Sequence, residues 1–220
     1  MNSIKQIDYE AEFPEVPEPF ASLIQDADDH WDKFWAQKLN KRYPRYVASE
    51  PAQVYAVIKH VRDKGLALGE RFIEWGSGFG VATILAAQLG FEATGIELED
   101  GLVEIAESLA KKHQTDAEFI ATTYIPEGYI SYDHVGGCDI ISDDSFGHQV
   151  ESPHYDGMDI SLDEIDVFFV YPWPGEQEMM LKLFQSVASE DAILIAYYGD
   201  QEICIYRKQY SADRTPIFFP

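Results

Sequence analysis

The sequence predicts an α/β protein: a three-layer sandwich in which helices cover both faces of a mostly parallel, seven-stranded sheet whose last strand is antiparallel. Three observations carry that expectation. From Arg71 onward, short apolar runs bounded by turn residues alternate with stretches of helical period, the pattern of strands joined by crossover helices. A glycine-rich turn, "EWGSGFG", joins the first such strand to its helix. The end of the pattern, "AILIAYYGDQEICIYR", reads as two strands turning back at Gly199–Asp200.

The elements follow in order. Residues 1–20 read as a loose arm, because Pro14, Pro17 and Pro19 bar a continuous helix. From about Ala21 to Leu39, apolar and aromatic residues (Leu23, Ile24, Ala27, Trp31, Phe34, Trp35, Leu39) recur at helical spacing. That helix either covers a cleft or packs on the sheet edge. A second helix is expected from Glu50 to about Lys64, with Ser49 as N-cap, Pro51 in the first turn and Gly65 as stop. "RFIEW", "EATGIEL" and "AEFIATT" are strands; "VATILAAQLG" and "LVEIAESLAKKH" are the helices between them. Around Tyr124 the alternation breaks for some forty residues rich in tyrosine, glycine, aspartate and histidine, within which "GCDIISDD" has the makings of a short strand. Such a long irregular stretch is usually functional or mobile. The pattern resumes with the apolar strand "IDVFFVYPWPGE", a helix in "EQEMMLKLFQSVAS" and the closing hairpin. The organisation expected is an N-terminal arm and helix over 1–44 and a ligand-binding domain over 45–220, with 124–164 as an insert or lid.

Composition narrows the classes. With 220 residues, 46% of them hydrophobic, the chain suits one domain with a packed core. No apolar run approaches the roughly 18 residues a membrane helix needs. The acidic, proline-rich N-terminus has no apolar signal region, so no membrane partner and a cytoplasmic location are expected. The two cysteines, Cys138 and Cys204, are expected to be reduced thiols. The net charge is −23, from 39 acidic and 16 basic residues, and a field of that sign repels phosphate backbones. Nucleic acid is therefore not an expected partner, although surface adaptation to salt produces the same acidity. The cluster Lys38, Lys41, Arg42 and Arg45 is short and reads as a solvated helix end.

The turn after "RFIEW" is the main functional signal. A strand, a glycine-rich turn and a helix bring backbone N–H groups and a positive helix end to one point. Glycine lets a ligand approach the backbone without a Cβ in the way. An acidic residue ending the next strand, here Glu97, can accept both hydroxyls of a ribose. Dinucleotide sites want G-x-G-x-x-G/A. Counting from Gly76, the third small residue would stand where Val81 is, so that pattern fails. The spacing acidic-x-G-x-G-x-G fits instead, through Glu74, Gly76, Gly78 and Gly80.

Together with "GIELED" one strand later, "VFFVYPWPG" as the fourth strand of the alternating series and the closing hairpin, this loop resembles the class I, Rossmann-like, S-adenosylmethionine-dependent methyltransferases over roughly residues 45 to 208. "RYVASEP", ahead of the first of those strands, is similar to the branch that includes some protein-lysine methyltransferases. The resemblance implies S-adenosyl-L-methionine as cofactor. It implies that Glu74, Ser77 and the backbone of Gly76, Gly78 and Gly80 hold the methionine portion, that Glu97 binds the ribose and that Leu98 lines the adenine pocket. Tyr46, Ser49 and Glu50 lie within reach of the same site. The chain departs from the family in three places. Glu74 stands where aspartate is usual. Thr122 stands near the end of the third strand, where an acid commonly meets the adenine amine, unless Asp143 or Asp144 folds back to serve. The turn Tyr171-Pro172-Trp173-Pro174 lacks the Asn or Asp of adenine-N6 enzymes.

By the same resemblance, Tyr171 and Trp173 are the candidate walls of the reaction site, since aromatic faces stabilise a sulfonium or ammonium cation by roughly 0.5–2 kcal/mol. From His113 to Met180 the chain has no lysine or arginine but 15 acidic residues and four histidines. A site covered by that stretch favours a cationic methyl acceptor, an amine on a small molecule or a protein side chain. His134, Cys138, Asp139, His148, His154 and Asp156 are all metal-ligand types, but their spacing matches no compact metal motif, so no metal is assigned. The alternatives are a protein of the same fold that holds the cofactor without turnover and, further off, a nicotinamide-dependent oxidoreductase.

Overall fold

The computed structural model describes residues 3–10, 15–126, 129, 153–200 and 202–209. Twelve elements run in the order β1 (Ser3–Ile7), α1 (Phe20–Ala36), α2 (Pro51–Asp63), β2 (Arg71–Trp75), α3 (Val81–Gln88), β3 (Glu92–Glu97), α4 (Asp100–Lys112), β4 (Glu118–Ala121), β5 (Val167–Val170), α5 (Gln177–Val187), β6 (Ile193–Gly199) and β7 (Glu202–Gln209). Short 3-10 turns at Leu39–Lys41 and Leu162–Glu164 separate some of them. The seven strands form one sheet in the order β1-β7-β6-β5-β2-β3-β4. β2 pairs in parallel with β3 and β5, β3 with β4, and β5 with β6. β7 is antiparallel to both its neighbours, β6 and β1. This is the Rossmann-like sandwich that the alternation predicts.

Period-two burial builds the layers. In β2, Phe72 faces one core while Ile73 and Trp75 face the other. In β5 and β6, Val167, Phe169, Ile193 and Ile195 join Phe72, whereas Phe168, Val170, Leu194 and Ala196 join Ile73. The first core is closed by buried residues of α1, α2, α3 and α4, among them Leu23, Val57, Leu85 and Leu109. The second is closed by Met180, Leu183, Phe184 and Val187 of α5, with Tyr155, Leu162 and Ile165. β5 is buried at all four positions, as expected of a strand covered on both faces.

The N-terminal segment departs from the loose arm expected. Ser3–Ile7 is an edge strand in register with β7, Ile4 facing the second core and Ile7 the first. The prolines bar a helix only from Pro14 onward and say nothing against a strand before it. α1 ends at Ala36 rather than Leu39, because Lys38 takes a left-handed conformation (φ 59°). The N-cap of α2 is Glu50, one residue later than Ser49, and Pro51 takes the first helical position. Cys204 is a free thiol. Cys138 and the strand expected in "GCDIISDD" lie outside the described residues.

Candidate cofactor site

The strand order reverses between β3-β2 and β2-β5, and the crevice beyond the carboxyl ends of such strands is where open α/β sheets bind ligands. The turn from Trp75 to Val81 lies there. Its three glycines differ in surroundings. A Cβ on Gly76 (φ +75°) would meet no atom within 4 Å, so this backbone is open to an approaching group. On Gly78 it would strike the Tyr46 ring at 2.2 Å. On Gly80 (φ +71°) it would strike the Phe119 ring at 2.4 Å and the Ala106 Cβ at 2.9 Å. Gly80 therefore serves close packing of the loop on β4 and α4, and Gly76 is the position left clear for a ligand.

Glu74, at the penultimate residue of β2, is buried. Its Oε2 accepts hydrogen bonds from the Thr83 N–H (2.9 Å) and hydroxyl (2.6 Å), which satisfies a donor in the first turn of α3. Burial pushes the Glu74 carboxyl up to about 8; the Thr83 bonds pull it back only in part, and nearby Glu97 adds to the rise. The N–H groups of Gly76 and Ser77 both donate to the Ile96 carbonyl (2.8 and 2.9 Å), which pins the turn to β3. That leaves the Ser77 Oγ buried without a hydrogen-bond partner among the described residues.

Glu97 closes β3. Its Oε2 accepts the Gly78 N–H at 2.9 Å and its Oε1 the Glu99 N–H at 3.0 Å, so one carboxylate ties the glycine turn to the β3–α4 turn. Leu98 projects with 67% of its surface exposed. The Thr122 N–H donates to the Glu97 carbonyl at 2.9 Å, which places Thr122 beside the end of β3.

A cavity of about 270 Å³ opens on this turn. Glu74, Gly76 and Ser77 form one side, Tyr46, Phe79 and Tyr171 flank it, and Ala27, Asp28 and Trp31 of α1 cover it. Residues 47–51, including Ser49 and Glu50, complete the wall. Of the expected site residues, Tyr46, Glu74, Gly76, Ser77 and Tyr171 share this cavity. Gly78, Gly80, Glu97, Leu98, Thr122 and Trp173 are not on its lining. α1 both packs and covers: Leu23 and Phe34 are buried while the Ala27–Trp31 face meets the cavity. The Tyr46 ring lies 4.4 Å from Phe79 and 5.7 Å from Trp31, and burial holds its hydroxyl well above the usual range. Three carboxyl groups, Asp28, Glu50 and Glu74, line the cavity and no lysine or arginine does among the described residues. Burial first, then Asp32 and Asp29, raises the Asp28 carboxyl as well. Sequence periodicity reveals α1 as amphipathic but does not reveal that Asp28 turns toward a site.

The turn after β5 continues outward. Tyr171 packs edge-on against Tyr197 at 4.8 Å, and the Tyr197 hydroxyl accepts the Glu50 N–H at 3.4 Å. Trp173 is outside the cavity, beneath the Arg45 guanidinium at 5.7 Å, and Arg45 is ion-paired with Glu176. No group of three metal-ligating side chains occurs among the described residues. His134, Cys138, Asp139, His148, Asp143 and Asp144 lie outside them.

No family model and no curated protein sequence matches the chain. Solved structures similar to it include an RNA methyltransferase from Salinibacter ruber in complex with S-adenosyl-L-homocysteine: 16% identity, TM-score 0.45, 76% of this chain and 98% of that one. A methyltransferase from Thiobacillus denitrificans with the same ligand matches at 18% identity and TM-score 0.44, over 72% of this chain. The tRNA (uracil-54, C5)-methyltransferase of Pyrococcus abyssi matches at 14% identity and TM-score 0.39, over 76% of this chain. The matches span 53% and 41% of the latter two proteins' own lengths.

Proposed function

We propose that the chain is a class I S-adenosylmethionine-dependent methyltransferase acting on an amine nitrogen of a small molecule or a protein side chain. One observation carries this reading: a buried carboxyl (Glu74), a buried hydroxyl with no partner among the described residues (Ser77) and an open glycine backbone (Gly76) converge on one cavity beyond the carboxyl ends of parallel strands. These donors and acceptors suit the amino and carboxylate groups of a methionine moiety. When bound, the cofactor supplies an electrophilic methyl group on a sulfonium.

The chain's own residues do the rest. Glu74, the Ser77 hydroxyl and the open Gly76 backbone hold the methionine end, Glu97 turns from its loop bonds to the ribose, and Leu98 and Thr122 flank the base. Tyr171 walls the reaction site, and α1 excludes water above it. Alignment and dehydration supply much of the rate in a transfer of this kind. Asp28 and Glu50 are the groups positioned to take the proton that an amine acceptor loses. The absence of lysine and arginine from the lining among the described residues favours cationic over anionic acceptors and disfavours nucleic acid. The similarity of "RYVASEP" to the protein-lysine branch points to a lysine-like amine, in a cytoplasmic setting.

A second reading is a protein that holds the cofactor without turnover. The turn Tyr171-Pro172-Trp173-Pro174, with no amide or carboxylate of its own, favours it. Calorimetric titration with S-adenosylmethionine, S-adenosylhomocysteine and NAD tests the cofactor. Saturable binding of the first two, lost on Glu97→Ala, is expected; binding of NAD alone would overturn the assignment. Transfer of labelled methyl to a panel of amines separates enzyme from holder.

A further inference from the structure

Outside the cavity, three segments meet around one positive charge. Arg45 comes from the stretch before α2, Trp173 and Glu176 from the turn after β5, and Tyr124 from the segment after β4. Arg45 Nη2 donates to Glu176 Oε1, the guanidinium carbon lies 5.7 Å from the centre of the Trp173 ring, and the Tyr124 hydroxyl donates to Glu176 Oε2 at 3.4 Å. A carboxylate, an aromatic face and a phenol thus surround a single cation, the arrangement by which proteins recognise ammonium and guanidinium groups. The carboxylate is the recessed partner: the Glu176 side chain is 25% exposed and that of Arg45 66%. Burial pushes the Tyr124 phenol up to about 12, so it remains a neutral donor.

Two facts mark Arg45 as a replaceable occupant. From His113 to Met180 the chain has no lysine or arginine, so the permanent cation is brought in from a different part of the chain. Exposed ion pairs hold by only about 0–1 kcal/mol, so a better-placed cation displaces this one. The cradle also stands in the right place, because Trp173 follows by two residues Tyr171, a wall of the cavity.

We propose that Glu176, Trp173 and Tyr124 form the subsite that receives the positively charged end of the methyl acceptor, and that Arg45 occupies it until the acceptor arrives. The proposal rests on the methyltransferase reading and narrows its acceptor to molecules with a cationic group besides the amine that is methylated.

Calorimetry with two probes, spermidine and a short acetylated lysine-rich peptide, tests it on the full chain, on Arg45→Ala and on Glu176→Gln, with S-adenosylmethionine titrated into each. Removing the internal occupant should tighten binding of at least one probe roughly 3- to 10-fold, in line with a weak exposed pair. Glu176→Gln should weaken it about tenfold or more. The probe that responds identifies a free polyamine or a protein lysine as the source of the charge. Unchanged cofactor affinity in both variants shows that the cavity is intact. Weaker probe binding in Arg45→Ala, or no probe binding to any form, overturns the proposal. So does binding of an oligouridylate that is lost in Arg45→Ala, which would make Arg45 a phosphate contact. Failure of the cofactor to bind the wild type, with the cation responses as expected, would sink the methyltransferase reading and leave the cation subsite standing.

Discussion

Glu74 is pulled two ways. Burial favours its neutral form, whereas a cationic amino group in the cavity would favour the carboxylate. Its folded-state value of about 8 lies above the ordinary 4.5, so its contribution to stability is full below about 4.5 and is lost as pH rises through 8. Glu74→Gln keeps an acceptor for Thr83 and removes the titration. Melting temperature should fall from pH 5 to 8 more steeply in the wild type than in this variant. Cofactor binding between pH 6 and 7.5 should release close to one proton, read from calorimetric enthalpies in buffers of different ionisation enthalpy; the variant should release none and bind at least tenfold more weakly. Gly80→Ala, strained in φ and driven into Phe119 and Ala106, should cost roughly 2–4 kcal/mol in denaturant unfolding. Gly76→Ala should cost only about 1 kcal/mol. Glu74 and the three glycines were legible in the sequence because strand-end spacing reports on them. Their division of labour was not, since it depends on Tyr46 and Phe119, which arrive from distant positions.

α1 and β1 show what periodicity reports and what it omits. The stripe of α1 announces a buried face, yet the cavity contact comes from its border, where Ala27, Asp28 and Trp31 turn over the glycine turn. α1 is tied to α4 by Asp26, which accepts from Lys112 (2.6 Å) and lies 2.7 Å from His113 Nε2; the Lys112 bond foremost holds the Asp26 carboxyl below its usual range. Asp26→Asn should raise amide exchange in residues 20–36 and weaken cofactor binding a few-fold while exchange in β2 and β3 stays unchanged. β1 was not legible as a strand because five residues with two isoleucines carry little pattern, and its partner is more than 190 residues away. Deleting residues 1–8 should uncover β7 and produce concentration-dependent association in size-exclusion chromatography, since an unpaired strand edge recruits another.

At the scale of the molecule, the charge of −23 sets a repulsion that the fold must carry. Screening it should raise the melting temperature between about 50 mM and 1 M potassium chloride, most steeply below the few hundred millimolar at which the Debye length shortens to a few ångströms. The parallel core of the sheet and its antiparallel closing strand were readable from alternation and the closing hairpin because those signals are local. The acidic lining was not, because Asp28, Glu50 and Glu74 come from three separate elements. The sheet order also bears on how the protein is made. Of the described strands β1 is the first made, and its single neighbour in the sheet, β7, is the last of them. Ile4 and Ile7 therefore wait until β7 has been made, and β7 must slot between β1 and β6 after both exist. The sheet is closed only once β7 has been made, so a product truncated ahead of β7 would keep the glycine turn but lack a closed edge.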